Sequence, residues 1–216
     1  MNSLLKVENL TKSYGRNRVI NNLCFDVEAG EIVVIRGTNG SGKTTLLSII
    51  ASLVAYDSGK VNILGKDLKL NPHSCRSEIA LVAHRPFLYS QLTVRENLEF
   101  FARINSLKDI NRNVFEKTSL IGLSERLDSK IATLSHGYVK RVAIARALLH
   151  EPHILLFDEP ESGLDRESLE LFEEIIGREL SKGRSIVMTT HSNQIPYQGS
   201  VRNLSIIKGM LVDDLT

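Results

Sequence analysis

The residues Gly37-Thr38-Asn39-Gly40-Ser41-Gly42-Lys43-Thr44-Thr45 could do chemistry on a polyphosphate. From Gly37 to Thr44 they follow G-x-x-x-x-G-K-[ST]. A loop poor in Cβ atoms can wrap its backbone N–H groups around phosphate oxygens. A helix after the loop points its positive dipole end at the same anion. Lys43 would reach the outer phosphates as a point charge, and the Thr44 hydroxyl would ligate Mg²⁺, which takes hard oxygen donors. The flanks supply the two elements this requires. Ile32-Val33-Val34-Ile35 reads as the entering strand and Leu46-Leu47-Ser48-Ile49-Ile50 as part of the helix.

A second constellation is Ile154-Leu155-Leu156-Phe157-Asp158-Glu159, an apolar strand that delivers two carboxylates at its C-terminal end, as a Walker B motif does. Open parallel sheets bind ligands at that edge. Asp158 would hold Mg²⁺ through water. Glu159, on the opposite side of an extended chain, would polarise the attacking water as general base. Pro160 follows, so the plain reading of the two acids is a turn. Beside a phosphate loop the nucleotide reading is preferred.

Strands are expected over 4–9 and 18–27, with the polar turn Lys12 to Asn17 between them. Further strands are expected at 31–36, 60–64, 79–83, 153–157 and 184–189, with a terminal hairpin from Ser200 to Ile207 and Gly209 to Asp213. Helices are expected over about 43–54, from Thr93 with Glu96 completing a capping box, over 111–121, over 135–149 with an apolar stripe and a basic flank, and from Asp165 to about Ser181. Alternating strands and helices imply an α/β fold with a parallel-sheet core. The opening strands read as an antiparallel β subdomain forming a third layer. The helical block at roughly 86–150 reads as an inserted helical subdomain.

The stretch Leu134-Ser135-His136-Gly137-Tyr138 and the helix after it bring out a resemblance. They resemble the L-S-G-G-Q signature of the ATP-binding subunits of ABC transporters. Tyr14, in Leu10-Thr11-Lys12-Ser13-Tyr14-Gly15, matches the aromatic that stacks on adenine in that family. Ser162-Gly163-Leu164-Asp165 resembles its D-loop, and His191 in Met188-Thr189-Thr190-His191 its switch histidine. These marks run in family order from residue 4 to about 193. The resemblance implies a P-loop NTPase of ABC ATPase type, one domain over 1–216. It implies ATP and Mg²⁺ as ligands, held by Tyr14, by Gly37, Thr38, Asn39, Gly40, Ser41, Gly42, Lys43, Thr44 and Thr45, and by Asp158. It gives Glu159, His191 and Lys43 the catalytic work. Ser135, His136 and Gly137 would meet the γ-phosphate of a second copy bound head-to-tail. The implied partner is a transmembrane permease, on the cytoplasmic side of the membrane.

Three positions depart from the pattern. His136 stands for the first glycine of the signature and Tyr138 for its glutamine; the plain reading of His136 is a tolerated, solvent-facing variant. His84, in Ala83-His84-Arg85-Pro86, stands where the family carries a glutamine that contacts Mg²⁺. An imidazole nitrogen prefers softer metals, so contact through water is expected. The same stretch, with Leu92-Thr93-Val94-Arg95-Glu96-Asn97-Leu98, is similar to the heme-exporter ATPases of cytochrome c maturation. Drug-, lipid- and peptide-export ATPases share the length and the motifs. A non-transport ABC ATPase is the remaining alternative, without support from a heptad run or a second ATPase unit.

Composition adds bounds. The chain has 216 residues, 42% hydrophobic and 24% charged, with net charge +2. Nothing in that balance calls for nucleic acid. Cys24 and Cys75 are too few for a disulfide framework, and Cys24 is expected to be a small buried hydrophobe. Met1 to Lys6 carry no apolar signal core. The longest largely apolar stretch, Leu46 to Tyr56, falls short of the roughly 20 residues of a membrane helix. Any membrane role is therefore expected to come through a partner.

Overall fold

The computed structural model describes residues 3–191 and 201–213. Two sheets carry the architecture. The smaller is antiparallel, in the order β2 (Asn17–Val27), β1 (Leu5–Tyr14), β4 (Ser58–Ile63) and β5 (Lys66–Asp67). The larger has six strands, in the order β10 (Met210–Asp213), β9 (Arg202–Ile207), β3 (Ile32–Arg36), β8 (Ser185–Thr190), β7 (Ile154–Asp158) and β6 (Ile79–Val82). Every pairing in it is parallel except β9 with β10.

Strict alternation on the central strands makes two cores, one on each face of the large sheet. Ile32, Val34, Leu155, Phe157, Ile186 and Met188 face one way. They pack against α3 (Val94–Ile104), α4 (Ile110–Leu120), α5 (His136–Leu148) and α6 (Arg166–Ser181). Val33, Ile35, Ile154, Leu156 and Val187 face the other way, onto α1 (Lys43–Ile50) and the antiparallel sheet. The helical block and the sheet thus share one continuous apolar core.

Several expectations change in detail. The turn between the first strands shrinks to Gly15 and Arg16, because β1 runs on to Tyr14 and pairs it with Asn17. Helix α1 stops at Ile50, not near 54: Ala51 caps it and Ser52 takes a positive φ of 59°. A short helix, α2 (Pro72–Arg76), lies where none was expected. The terminal strands are paired as a hairpin, but β9 also adds in parallel to β3; Ser200 lies outside the described residues. Cys24 is exposed, not buried. Alternation turns Leu23 and Phe25 inward and Cys24 outward. There a bulge sets Glu8 and Asn9 against the single residue Cys24, and the Asn9 N–H donates to its Sγ at 3.0 Å.

The α3 cap forms as read: Thr93 Oγ1 accepts from Glu96 N–H at 3.1 Å and Glu96 Oε2 accepts from Thr93 N–H at 2.7 Å. Among the described residues no helix is long and apolar enough to cross a membrane.

Helix α6 is fixed to the sheet by Phe172, whose ring meets Phe157 edge-on at 5.0 Å, both side chains being fully buried. Phe172→Ala is expected to cost about 3–5 kcal/mol of stability, from lost transfer energy plus a cavity. Urea denaturation of the variant measures it, and a loss under about 1 kcal/mol would contradict this packing.

Candidate functional site

The ends of β3, β7 and β8 lie side by side, so whatever leaves them shares one edge of the sheet. The phosphate loop leaves β3. Gly42 closes it at φ 108°, where a Cβ would stand 3.0 Å from the Val19 carbonyl oxygen, so conformation and space both select glycine. Gly42 is also the N-cap of α1. It offers no side-chain acceptor, and the first turn holds no acid. The helix therefore presents its free N–H groups and positive end without an internal anion to satisfy them. The buried Ser41 Oγ has no partner either. These are the features a bound phosphate would use.

Lys43 is 5% exposed, and its ammonium donates to the carbonyls of Gly37 at 2.7 Å and Thr38 at 3.2 Å. Thr44 Oγ1 donates to Asp158 Oδ2 at 2.9 Å, and Thr189 Oγ1 donates to Asp158 Oδ1 at 2.7 Å. Two hydroxyls and a carboxylate make a hard-oxygen set that fits Mg²⁺. His84 lines the same cavity, of about 310 Å³, as Thr44 and Asp158.

Glu159 does not continue the extended chain. Its φ is 49°, a left-handed conformation uncommon for a non-glycine residue. Its N–H is held by the Thr189 carbonyl at 3.1 Å. Its carboxylate Oε1 lies 3.9 Å from Lys43 Nζ and 3.4 Å from His191 Nδ1. The turn, not strand alternation, aims this side chain at the phosphate loop.

A family model described as ABC transporter matches residues 20–162. The chain belongs to the ABC transporter ATP-binding family. It is an ATPase subunit of that kind. Three relatives give the range. The ABC transporter ATP-binding protein NatA of Bacillus subtilis is 34% identical over 87% of this chain and 84% of its own length. The cytochrome c biogenesis ATP-binding export protein CcmA of Vibrio vulnificus is 29% identical over 94% of this chain and 99% of its own. The linearmycin resistance ATP-binding protein LnrL of Bacillus subtilis is 32% identical over 87% of this chain, which spans 61% of that protein. A solved ATP-binding subunit of an ABC transporter superposes with a TM-score of 0.86 at 28% identity, over 98% of this chain and 90% of that one.

The other motif residues of this family sit elsewhere on the same chain. Neither the 310 Å³ cavity nor a larger one of about 600 Å³ along Gly37 to Ser41 includes Ser135, His136 or Gly137. Those three begin α5, where Ser135 is the N-cap. Tyr14 is half exposed, with the Lys12 ammonium 4.9 Å from its ring centre. Its strand partner Asn17 lines the larger cavity beside the loop. Thr45 is half-buried in the first turn of α1. His136 is exposed, but its ring is not simply in solvent: it lies against Gly163, whose φ of 72° and lack of a Cβ make room for it. Tyr138 is flanked by guanidinium groups, Arg126 at 4.7 Å and Arg141 at 5.2 Å from its ring centre.

Sequence reasoning took the cations of α5 for a basic flank. The structure buries Lys140 and Arg141, half-buries Arg146, and gives each a neighbouring segment to hold. Arg141 reaches Ser168 and Glu167 in the first turn of α6, with Nη2 3.0 Å from both Ser168 Oγ and Glu167 Oε1. Arg146 donates to the Leu81 carbonyl at 2.6 Å and the Phe87 carbonyl at 3.3 Å, on either side of His84. Burial pulls its guanidinium down to about 10. Lys140 reaches the turn after β7. The available signal was their position: the three interrupt an otherwise apolar helix.

Thr189 is fully buried and serves both acids, donating to Asp158 and accepting from Glu159 N–H at 3.3 Å. Thr189→Val keeps the shape and removes the hydroxyl. It is expected to cost about 1–3 kcal/mol, the penalty for leaving a buried polar group short of a partner. Denaturant titration of the full chain measures it, and a change below about 0.5 kcal/mol would overturn this account of the Asp158 site.

Proposed function

We propose that two copies of this chain close head-to-tail around two ATP molecules and drive a membrane export system. The observation that carries the reading is the split of the functional groups. The phosphate loop, Asp158, Glu159 and His191 form one cluster, while Ser135, His136 and Gly137 open α5 and line neither cavity at the loop. One chain then supplies half of each site. A two-fold pair is the simplest closed arrangement, and helix N-termini are natural anion sites. We take residues 1–216 as one ATPase unit with its helical portion at about 86–150.

In this reading Tyr14 stacks on adenine, while Gly37 to Thr45 wrap the phosphates. Lys43 leaves the Gly37 and Thr38 carbonyls and turns to the β- and γ-phosphates. Thr44 and Asp158 would hold Mg²⁺, supported by His84, which lines the same cavity. The ion neutralises charge on the phosphates when bound. Glu159 takes a proton from the water that attacks the γ-phosphate in line. His191, 3.4 Å from Glu159, keeps that carboxylate in place and contacts the γ-phosphate. The partner's Ser135 and Gly137 stabilise the same phosphate. The transmembrane partner seats in the groove near His84 and the helical block. That docking places the chain at the cytoplasmic side of a membrane, with no nucleic acid involved.

For cargo, the near full-length match to CcmA supports heme export for cytochrome c maturation. The higher identity to LnrL and to a Nod factor export protein of Rhizobium meliloti, 32% and 34%, favours a drug or lipid exporter as the second reading. Affinity purification of the tagged chain from detergent-solubilised membranes separates the two. A co-purifying permease that retains heme supports the first, and one whose loss sensitises cells to a lipophilic drug supports the second.

Glu159→Gln is expected to bind ATP, to run as a closed dimer in gel filtration with ATP, and to lose about 10²–10⁴ of its turnover. Turnover near wild type would overturn the role given to Glu159. Lys43→Ala should weaken ATP binding about 10- to 100-fold, the value of a charge-assisted contact, as read by calorimetric titration.

A further inference from the structure

Lys140 stands in the second turn of α5, five residues beyond the Ser135 N-cap. Its side chain is 8% exposed. The ammonium donates to the Glu159 carbonyl at 2.8 Å and the Ser162 carbonyl at 3.1 Å. Both partners are backbone atoms of the turn that carries Glu159 out of β7. That turn holds Glu159 at φ 49°, a left-handed conformation that lasts where the surroundings enforce it. The Glu159 carbonyl also accepts the Ser162 N–H at 3.2 Å, so the lysine completes a turn already pinned once.

The groups around this ammonium are mixed. Asp158, Glu159 and Glu161 act on it from the end of β7 and the turn. The Glu161 carboxylate is anchored by the Thr190 hydroxyl, and its second oxygen is buried without a partner. His136 from the start of α5 and His84 from the segment after β6 line the same small cavity, of about 50 Å³. Burial outweighs the three acids and brings Lys140 down to about 8.

We propose that Lys140 is a positioning residue for ATP hydrolysis: its ammonium holds the Glu159–Ser162 turn so that the Glu159 carboxylate faces the bound nucleotide. The inference rests on the role given above to Glu159. A distinct consequence follows from where the lysine is attached. The helix that offers Ser135 and Gly137 to the other copy's nucleotide is the one that braces this copy's Glu159. A shift of α5 at one ATP is therefore transmitted through Lys140 to the acid at the other.

Lys140→Met keeps the buried stem and deletes the donors. In steady-state ATPase assays of the full chain at pH 7, kcat should fall at least tenfold while KM for ATP stays within threefold, because the phosphate loop is untouched. The wild-type protein gives a second readout that does not depend on the variant folding. Its kcat should fall as the pH rises through about 8, where the ammonium loses its proton and with it the charge that strengthens both carbonyl contacts, while staying above the Lys140→Met value because the neutral amine keeps two N–H donors. The variant should lack that limb. A kcat within twofold of wild type in the variant, a loss carried by KM, or a wild-type kcat flat from pH 7 to 9.5 would each overturn the proposal. Glu159→Gln run in parallel tells the two readings apart. If it abolishes turnover while Lys140→Met does not, only the positioning role fails. If it turns over normally, the role of Glu159 fails and takes this inference with it.

Discussion

One buried carboxylate ties the functional edge of this protein together. Asp158 takes one hydroxyl hydrogen from Thr44 and one from Thr189. The first comes from the opening turn of the helix after the phosphate loop, the second from the neighbouring parallel strand. A carboxylate with so little exposure must have such partners, because an unpaired buried charge is costly and hydrogen bonds to a charged group contribute about 1.5–3 kcal/mol each. The need to satisfy Asp158 thus fixes where α1 begins relative to β7 and β8. The phosphate loop, which ends at that point, inherits its place from the sheet. A parallel arrangement makes this possible, since three successive strand ends arrive at one edge.

Helix α5 carries the second constraint. It is buried almost all round, so its cations cannot act as an exposed basic face. Lys140, Arg141 and Arg146 each spend their charge on a different segment: the turn after β7, the start of α6, and the stretch around His84. Most of these contacts end on backbone carbonyls or a hydroxyl, and only Glu167 completes an ion pair. Backbone carbonyls are acceptors that mutation cannot remove, so a helix that grips them controls loop shape with little regard to loop sequence. This accounts for how His136 and Tyr138 can stand in the signature stretch. Each finds a local place, against Gly163 and between two guanidinium groups, without disturbing those grips.

The fold was legible where its causes are local. The glycine spacing of 37–42, the apolar runs of β3, β7 and β8 and the Thr93–Glu96 capping box are short-range patterns, and the structure has all of them. Expectations slipped where tertiary context decides. Alternation alone could not say which side of β2 meets the core, and Cys24 went the wrong way. Nothing local in Arg202–Ile207 says that the strand joins β3, about 170 residues earlier in the chain, instead of pairing only with its hairpin neighbour. Glu159 was aimed by strand alternation when a left-handed turn aims it. Lys140 fell within what read as the basic flank of its helix, and the carbonyls it holds are 19 and 22 residues away.

The strain at Glu159 and the burial of Lys140 explain each other. A left-handed residue next to a proline would relax if the turn were free, swinging its carboxylate off the line between Lys43 and His191. A buried ammonium without acceptors would lose its proton or seek water. Placed together, the carbonyls satisfy the ammonium and the ammonium holds the carbonyls. Each unfavourable feature then supports the other, beside the pins from Thr189 and Ser162, so the aim of Glu159 is coupled to where α5 stands. In the proposed head-to-tail pair, α5 stands where the opposite nucleotide lets it.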